Sequence, residues 1–411
     1  MSILVTDELN NLKVYHYDTC DLNSPTTLKE ARGIIKNNTV EVCKSFPFTP
    51  EITTVDIENI EKFITPNLKN STFYENHEGS IVRLWYNEDT ENAENSKWYL
   101  STHKKIDAFS SKWGSTTTYG ETFVTILSNT TFKSTSWADD ISDESDSEDT
   151  TNSTETNKTK NIFDDFCKKC NKNYIYIFLI RNTDSNRIVV RGYKTPEMYC
   201  LGMFDRSSQF KYLNPDEKFV YKAPPKYTFT TLDNLIKDVN ELDIYKYGGI
   251  LLITNEGKLL KLVHPKYDTL FKSRGNVPNV GARYLELRNN DDELKVFFDL
   301  YPEFQSEFIE IENILTDVSK NIFKKYLNRY VYKQVSILPP IQFKILTSLH
   351  QLYTSKSLTR IQYNDVVTFI NKINSRELYN IVKNYRINKK EYGNGNFVSK
   401  ELKEKILSSL K

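Results

Sequence analysis

The sequence predicts an α+β fold, in which antiparallel sheets with flanking helices are followed by an all-helical C-terminal domain. Two observations lead to this prediction. Before about residue 290, short runs of β-branched and aromatic residues alternate with polar turns. Beyond that point apolar residues recur at helical spacing. We therefore expect a sheet-rich domain over residues 1–290 and a helical domain over residues 291–411.

Hairpins account for most of the predicted strands. The runs Ser80–Tyr86 and Lys97–Thr102 are rich in β-branched and aromatic residues and are separated by a polar stretch, which predicts one hairpin. The runs Tyr174–Ile180 and Arg187–Val190 predict a second hairpin, whose turn is expected from Asn182 to Asn186.

Further strands are expected at Tyr199–Phe204 and Gly249–Ile253, and a turn at Asn255–Lys258. The helical domain is predicted from apolar residues three and four positions apart. These residues are Leu294, Phe297, Phe298, Leu300 and Tyr301, and later Phe343, Ile345, Leu346, Leu349 and Leu352.

Composition limits the kinds of protein that this chain could be. Its 411 residues are 38% hydrophobic and 13% aromatic, which is enough for a core in each domain. The net charge of +1 excludes a strongly basic protein, so any surface that attracts nucleic acid must be local. No apolar run is long enough to cross a membrane, and five cysteines form no regular framework. We expect a soluble, intracellular protein with no membrane partner.

Residues 139–160 differ from the rest of the chain because they are almost entirely acidic, hydroxyl-bearing or amide side chains. Such a segment cannot bury enough apolar surface to offset its ordering entropy, so we expect a disordered insertion. Its Ser-Asp-Glu pattern suits acidic-directed phosphorylation or contact with a protein partner.

Three segments occur in an order that is typical of one enzyme family. They are Ala31–Ile35, Asn76–Ser80 and Ser185–Val190. Their order resembles the adenylation domain of phage-type RNA ligases, and more closely the degenerate members found in large DNA viruses. The resemblance covers about Arg32 to Tyr284 and implies a nucleotidyltransferase fold. It also implies a protein of the host cytoplasm or virion of such a virus.

In the family, a lysine attacks the α-phosphate of ATP to form a covalent lysyl-AMP. The matching position here is Asn76. An amide nitrogen is not a nucleophile, because its lone pair is delocalised into the carbonyl group, whereas an amine can be activated. No catalytic residue is therefore assigned, and the resemblance indicates a pseudoenzyme.

Three further charged positions of the family are neutral in this chain, namely Leu179, Gly248 and Val263. By resemblance the first two would hold metal or ribose through a carboxylate, and the third would be a lysine. Because phosphoryl transfer depends on cations that neutralise phosphate charge, these losses point to binding rather than catalysis. No metal site is assigned.

Some residues of the family pattern remain. By resemblance, Arg32 matches an arginine of the family that reaches the ATP phosphates. The simpler alternative is a surface arginine beside a turn glycine, without a binding role. Glu78 and Gly79 match the end of the nucleophile motif, and a glycine there allows close approach to a ligand. Our candidates for binding nucleotide or phosphate are Arg32, Glu78, Gly79, Lys104, Lys105 and Lys261.

Two stretches combine basic and aromatic residues and are candidates for binding nucleic acid. Ordinary amphipathic strands, with aromatic side chains in the core and lysines in water, would give the same pattern. The candidates are Lys97, Trp98, His103, Lys112 and Trp113 in the first stretch, and His264, Lys266, Lys272 and Arg274 in the second. Cys167 and Cys170 have the spacing of half a zinc site, but no second pair follows.

Three functions are consistent with these observations. The favoured one is an RNA-ligase-like protein that has lost lysine adenylation and binds RNA or nucleotide as an accessory protein. The second is an active ATP-dependent RNA ligase or capping-type nucleotidyltransferase that uses a displaced lysine, with ATP and Mg²⁺ as its cofactors. The candidate lysines for it are Lys104, Lys105 and Lys261. The third is a structural or virion protein that uses the fold for protein contacts.

Overall fold

The computed structural model describes residues 2–88, 96–134, 161–183, 187–215, 221–334, 340–355 and 360–387. Residues 139–160, the acidic segment, and 184–186, within the expected turn, lie outside the described residues. The chain forms two compact units, Met1–Thr269 and Leu270–Lys411. This division lies about 20 residues before the boundary at 290 expected from the sequence, because the helix Val280–Leu287 packs on later helices of the second unit.

The described part of the first unit contains fourteen strands. They are β1 (Ile3–Leu9), β2 (Leu12–Tyr17), β3 (Ile34–Asn37), β4 (Val40–Cys43), β5 (Glu51–Thr53), β6 (Ser71–Glu75), β7 (Ser80–Asn87), β8 (Lys97–Thr102), β9 (Tyr174–Arg181), β10 (Glu197–Asp205), β11 (Lys211–Leu213), β12 (Lys226–Tyr227), β13 (Gly249–Thr254) and β14 (Leu259–Val263). They form three sheets with the orders β1-β2-β3-β4, β11-β10-β9-β7-β8 and β12-β6-β13-β14-β5. All pairs are antiparallel except β14 with β5.

The described helices follow in chain order. They are α1 (Thr26–Glu30), α2 (Ile57–Asn59), α3 (Tyr119–Ser134), α4 (161–167), α5 (Leu232–Glu241), α6 (Pro265–Arg274), α7 (Val280–Leu287), α8 (Asp291–Leu300), α9 (Gln305–Tyr326), α10 (Pro340–Ser355), α11 (Tyr363–Asn371) and α12 (Ser375–Ile387). Short π-helical turns occur at Ile60–Ile64 and Leu327–Val331. The α+β class with antiparallel sheets and a helical C-terminal region is therefore confirmed.

The core of the first unit lies between its sheets. Leu12 and Ile35 of the four-stranded sheet contribute to one apolar cluster with Trp85 and Ile177 of β7 and β9 and with Leu251 of β13. The other faces of the two five-stranded sheets are covered by helices: α3 and α4 pack on β7 and β9, and α5 packs on β13 and β14. Buried on both faces, these strands have continuous apolar runs rather than a strict alternation.

The sequence predicted one hairpin correctly and one wrongly. β7 and β8 pair antiparallel as expected. β9 forms, but residues Arg187–Val190 are not a strand; β9 pairs with β7 on one side and β10 on the other. The cause is a contact with a distant part of the chain, because the backbone N–H groups of Ile188, Val189 and Val190 donate to the Glu78 carboxylate. Those groups are then not available to a sheet.

The second unit is helical, as predicted from residue 291 onward. α9 is its longest helix and packs against α7, α10, α11 and α12. Arg288 and Glu312 form a buried ion pair at 2.7 Å, and the Tyr284 hydroxyl donates to the same carboxylate at 2.9 Å. The arginine also donates to Asn371 Oδ1 at 2.8 Å. This network joins α7, α9 and α11.

Candidate functional site

Asn76 is the residue at which the sequence resemblance led us to expect a lysine. It follows β6 and is only 4% exposed. Its backbone N–H donates to the Gly249 carbonyl at 2.9 Å, and its carbonyl accepts from the Gly248 N–H at 3.0 Å. These bonds join the motif segment to the start of β13. The side chain at this point is thus an amide held in the protein interior.

Glu78 is held entirely by groups of the protein. Its Oε1 accepts the N–H groups of Val189 and Val190 at 2.8 and 3.0 Å, and its Oε2 accepts that of Ile188 at 3.1 Å. Burial raises the pKa of this carboxyl, while these bonds and the Tyr267 hydroxyl oppose the shift. A carboxylate with this many donors has little capacity left for a ligand.

The Glu78 segment also lies tightly against β9, and this requires Gly79. A Cβ atom at position 79 would approach the Ile180 carbonyl oxygen to 2.5 Å. That is closer than real Cβ contacts allow, so the glycine is needed for packing against the strand. The structure thus gives Gly79 a role within the chain.

Tyr267 fills the space beside Gly248. A Cβ atom at 248 would come within 2.4–2.6 Å of the Tyr267 ring. Burial, followed by the nearby Glu78 and Glu51, raises the pKa of the phenol well above its usual value. Tyr267 therefore remains a neutral donor at physiological pH.

Arg32, Lys261 and Glu78 are connected through Glu51 and Tyr267. The Lys261 Nζ atom lies 2.6 Å from Glu51 Oε1, and this pair spans the parallel strands β14 and β5. The Glu51 carboxylate also acts electrostatically on Arg32 and on Tyr267. Glu51 and Tyr267 thus link Arg32, Lys261 and Glu78 into one neighbourhood.

The surroundings of Arg32 carry an excess of positive charge. Its guanidinium donates to the Pro47 carbonyl at 3.1 Å and to the Thr49 hydroxyl at 2.6 Å. Arg83 is fully buried and donates to the carbonyls of Gly33 and Thr102. Within the described residues, neither arginine has a carboxylate at ion-pair distance. Burial lowers the pKa of both, yet an arginine stays protonated in a protein.

Two histidines border the arginines and stay neutral. Burial, followed by the nearby Lys104, Arg32 and Arg83, lowers the pKa of His16 to about 4. Burial and the same arginines hold the pKa of His103 well below its usual value. The His103 Nε2 atom lies 2.9 Å from Ser45 Oγ, and its ring stacks on His16. His103 thus belongs to this interior cluster.

Lys104 and Lys105 lie in the loop after β8. The Thr6 hydroxyl donates to the Lys104 carbonyl at 3.2 Å. The Lys105 amine pairs with Asp7 at 2.8 Å, and the Asp7 carboxylate also accepts the Ile106 N–H. Both side chains are exposed. The loop is therefore tied to β1, and Lys105 is held there by an acidic partner.

A second polar cluster follows directly from Asn76 and was missed from the sequence. His77 stacks on Tyr199 with ring centroids 4.8 Å apart, and its Nδ1 lies 3.3 Å from the Arg181 guanidinium. Arg181 pairs with Glu197 and lies over the Tyr193 ring. His77 lies between β6 and β7, and the other residues come from β9, β10 and the loop between them. Only the position of His77 beside the motif could have drawn attention to the cluster.

The His77 cluster also contains two carboxyl groups and an exposed amine. The Glu75 Oε2 atom lies 2.8 Å from His77 Nε2, and its Oε1 accepts the Tyr227 hydroxyl at 3.1 Å. Burial and then Arg181 lower the pKa of His77 to about 3, and burial raises that of Glu75. Burial thus favours the neutral forms of this close pair. The Lys222 amine lies over the Tyr199 ring at 5.0 Å.

The nucleic-acid candidates before residue 270 lie in different surroundings. Lys97 is exposed and lies over the Tyr99 ring at 5.2 Å, and Trp98 packs edge-on against Tyr86. Lys112 is exposed and Trp113 half-buried. Near the start of α6, the His264 Nδ1 atom accepts the Lys266 N–H at 2.9 Å. Of this set, exposed cations are found at Lys97, Lys112 and Lys266.

The two candidates of the second unit also differ from each other. Lys272 is exposed. Arg274 is only 1% exposed; its guanidinium donates to the carbonyls of Val277 and Pro278 and lies 5.9 Å from the Tyr301 ring centroid. The Arg274 side chain is therefore part of the core, and a surface role for it does not agree with its burial.

Across the residues with assigned structure, no group of three His, Cys, Asp or Glu side chains could hold a metal ion. Cys167 and Cys170 lie at the end of α4, and burial raises the pKa of both thiols, that of Cys170 to about 12. In the same part of the chain, no helix is long and apolar enough to cross a membrane.

Sequence comparison finds relatives in two viruses, while no family model matches the chain. An immediate-early protein ICP-46 homolog of Invertebrate iridescent virus 3 is 28% identical over 268 residues, covering 64% of this chain and 50% of the relative. The homolog in Invertebrate iridescent virus 6 is 26% identical over 360 residues, covering 82% and 71%. The chain thus spans half the length of the first relative. Both relatives come from large DNA viruses.

Solved structures with a similar fold include ligases. A Naegleria gruberi RNA ligase mutant with AMP and Mn has a TM-score of 0.32 and 14% identity, with 56% of this chain and 57% of that chain covered. A putative ATP-dependent DNA ligase from Aquifex aeolicus has a TM-score of 0.39 and 11% identity, with 74% and 76% covered. Because the identities and TM-scores are this low, neither the activity of those enzymes nor the roles of their residues are assigned to this chain.

Proposed function

We propose that this chain is a nucleotidyltransferase-like protein of a large DNA virus that binds nucleotide or RNA phosphates without forming a lysyl-adenylate. The observation that carries the proposal is the excess of positive charge around Arg32. Arg32 and Arg83 have no carboxylate at ion-pair distance in the described chain, and Lys261 lies in the same neighbourhood through Glu51.

Phosphate suits this excess of charge. A guanidinium offers several donors in a fixed plane that matches phosphate oxygens, and the Thr49 hydroxyl beside it adds a further polar group. Arg83 acts indirectly, because its bonds to Gly33 and Thr102 fix the backbone next to Arg32 and His103. Arg32 is therefore the binding residue of the proposal and Arg83 a positioning residue.

The absence of covalent chemistry is inferred from the groups near Asn76. The amide cannot attack phosphorus. The Lys261 amine is engaged by the Glu51 carboxylate at 2.6 Å. Glu78 is bonded to three backbone N–H groups and Tyr267, so its oxygens are engaged.

A working enzyme with a displaced lysine is the second candidate, and one observation favours it. The exposed Lys222 amine lies over the Tyr199 ring, in the cluster that also contains Glu75 and Glu197. An amine near two carboxyl groups is an arrangement that nucleotidyl transfer could use. In this reading Lys222 joins Lys261 as a nucleophile to be tested.

The test has two readouts on the same protein. Incubation with α-labelled ATP and Mg²⁺ or Mn²⁺, followed by denaturing electrophoresis, detects a covalent adenylate, and equilibrium dialysis detects reversible binding. We expect reversible ATP binding and no protein-linked label. Because charged hydrogen bonds contribute about 1.5–3 kcal/mol, Arg32→Met should weaken binding by about tenfold or more. Lys237→Met, which changes an exposed lysine of α5, is the control.

The contrary outcomes are distinct. A labelled band that Lys222→Ala or Lys261→Ala abolishes would establish the enzyme and end the accessory-protein proposal. Failure to retain either ATP or an RNA oligonucleotide at low salt would favour the structural or virion alternative instead. Equal ATP affinity of Arg32→Met and the unaltered protein would remove Arg32 from the proposed site.

A further inference from the structure

The second unit contains a long segment without acidic residues. From Val318 to Asn364, a span of 47 residues, there is no Asp or Glu. The same span contains eight basic residues: Lys320, Lys324, Lys325, Arg329, Lys333, Lys344, Lys356 and Arg360. The whole chain has nearly equal numbers, with 55 Lys and Arg against 54 Asp and Glu. The near-neutral total thus hides a strongly cationic segment.

Cations in this segment project from the end of α9 and the turn after it. Lys320 and Lys324 are exposed and lie one helical turn apart, so they share a face of α9. The helix then changes to a π-helical turn at Leu327–Val331, and Lys333 follows with a positive φ of 57°. Lys333 is also exposed. The charges therefore continue from the helix into the irregular turn.

Aromatic side chains accompany these cations and remain accessible. Tyr332 is 60% exposed and Phe343, on α10, is 45% exposed. The Arg329 guanidinium lies 5.2 Å from the Phe343 ring centroid and 5.9 Å from that of Tyr330. Large rings are usually buried, so exposed rings among cations are a distinctive surface.

A stack of rings supports this surface from beneath. Tyr330 stacks on His350 with centroids 3.9 Å apart and planes at 13°, and His350 stacks in turn near Tyr353. The Tyr326 hydroxyl lies 3.2 Å from His350 Nδ1. These contacts join the π-helical turn to α10. Tyr332 and Phe343 are therefore presented from an ordered base.

We infer that this basic aromatic surface binds a single strand of nucleic acid. It is defined by Lys320, Lys324, Arg329, Tyr332, Lys333 and Phe343. The cations would contact successive phosphates, and the two exposed rings would stack on unpaired bases. Paired bases in a duplex do not offer these faces, so single strands are preferred. The inference is independent of the proposed function, because none of its residues belongs to the first unit.

The experiment measures affinity for a labelled 20-nucleotide single strand across a salt series with the full chain. Each phosphate contact on a single strand contributes about 0.7 to the slope of log affinity against log salt. Lys324→Ala/Arg329→Ala/Lys333→Ala should therefore reduce that slope by about 2. The matched control, Lys295→Ala/Lys372→Ala/Lys383→Ala, removes three exposed lysines elsewhere in the unit and should leave the slope unchanged.

A second pair of variants tests stacking separately from charge. Tyr332→Leu keeps an apolar side chain but removes the ring, and should weaken binding by about fivefold or more with no change of slope, because stacking on a base contributes roughly 1–3 kcal/mol. Tyr332→Trp keeps a ring and should retain the affinity. Both variants change a 60% exposed side chain, so folding should be preserved and circular dichroism checks it.

Competitors decide the class of ligand. RNA and DNA strands of one sequence both offer phosphates and unpaired bases. Binding of either strand with the expected salt slope and loss on Tyr332→Leu therefore supports the inference. The ratio of the two affinities identifies the preferred nucleic acid. A duplex bound as tightly as the single strand, or poly-glutamate competing equally well, would overturn it in favour of simple charge attraction. Identical slopes for the two triple variants would also overturn it.

Discussion

Arg288 of the second unit and Arg83 of the first both lie largely in the protein interior, but their charges are compensated differently. In the second unit, Arg288 is paired with Glu312 at 2.7 Å, and Tyr284 and Asn371 complete the network. In the first unit, Arg83 donates to carbonyl oxygens, and no carboxylate at ion-pair distance is found among the described residues. A neutralised arginine joins helices, whereas an uncompensated one leaves a positive potential that an anion can use.

The largest effect is expected where the buried charge is fully paired. Arg288→Met would leave the Glu312 carboxylate buried without its cation, so the free energy of unfolding should fall by about 3–5 kcal/mol. Urea unfolding followed by far-ultraviolet circular dichroism, to which helices contribute strongly, measures it. Arg386→Met removes a more exposed partner of Glu310 and should cost about 1 kcal/mol or less. Equal losses of unfolding free energy in the two variants would show that the Arg288 network stabilises the fold no more than an exposed ion pair does.

A smaller effect is expected from acid in the first unit. Burial and Arg181 lower the folded-state pKa of His77 to about 3, from 6.5 in the unfolded chain. Between these values the unfolded chain binds more protons, so His77 stabilises the fold fully above pH 6.5 and loses this contribution as pH falls. The loss should be about 1.4 kcal/mol per pH unit.

His77→Gln tests this dependence because it keeps a polar side chain that does not titrate. Tryptophan fluorescence reports on the first unit, since all four tryptophans precede residue 270. Between about pH 4 and pH 6, the free energy of unfolding should fall with decreasing pH in both proteins. The fall should be smaller in the variant, by about 1.4 kcal/mol per pH unit. The pKa of His16 is also lowered, to about 4, so this residue too loses its stabilising contribution as pH falls. The stability of the variant should therefore still decrease with falling pH. Parallel curves would show that His77 titrates normally in the fold.

The smallest effect is expected from the same substitution at the unpaired arginine. Arg83→Met removes the N–H groups that donate to the Gly33 and Thr102 carbonyls. It does not leave a carboxylate buried without a cation. We expect a loss of about 1–2 kcal/mol, smaller than that of Arg288→Met, because relief of an uncompensated charge offsets lost hydrogen bonds. Tryptophan fluorescence during urea unfolding measures it. A loss larger than that of Arg288→Met would contradict the comparison between the units.

The sequence predicted the strands whose apolar content is local and unambiguous. β7, β8, β9, β10 and β13 lie where β-branched and aromatic runs placed them. The segment Arg187–Val190 has the same composition but is not a strand. Its N–H groups bond to Glu78, about 110 residues earlier, and such a contact leaves no trace in the local pattern.

The residues singled out from the sequence and the contacts in the structure overlap only in part. Motif order drew attention to Arg32, Glu78 and Lys261, which are connected around Glu51 and Tyr267, and their role in binding stays a prediction. Motif order did not indicate that the Glu78 carboxylate accepts hydrogen bonds from backbone N–H groups, or that Arg274 is buried. It also missed Arg181 and Glu197, because a charge pair formed across β9 and β10 depends on register rather than on spacing along the chain.

The phenol ring beside Gly248 limits which residues position 248 can hold. A side chain of any size there would collide with Tyr267, whose hydroxyl also bonds to Glu78. A mutation that placed an acidic residue at 248 would be unfavourable until position 267 had first become smaller. A carboxylate at this point of the fold therefore needs at least two changes in a fixed order, so glycine is easier to keep than to replace.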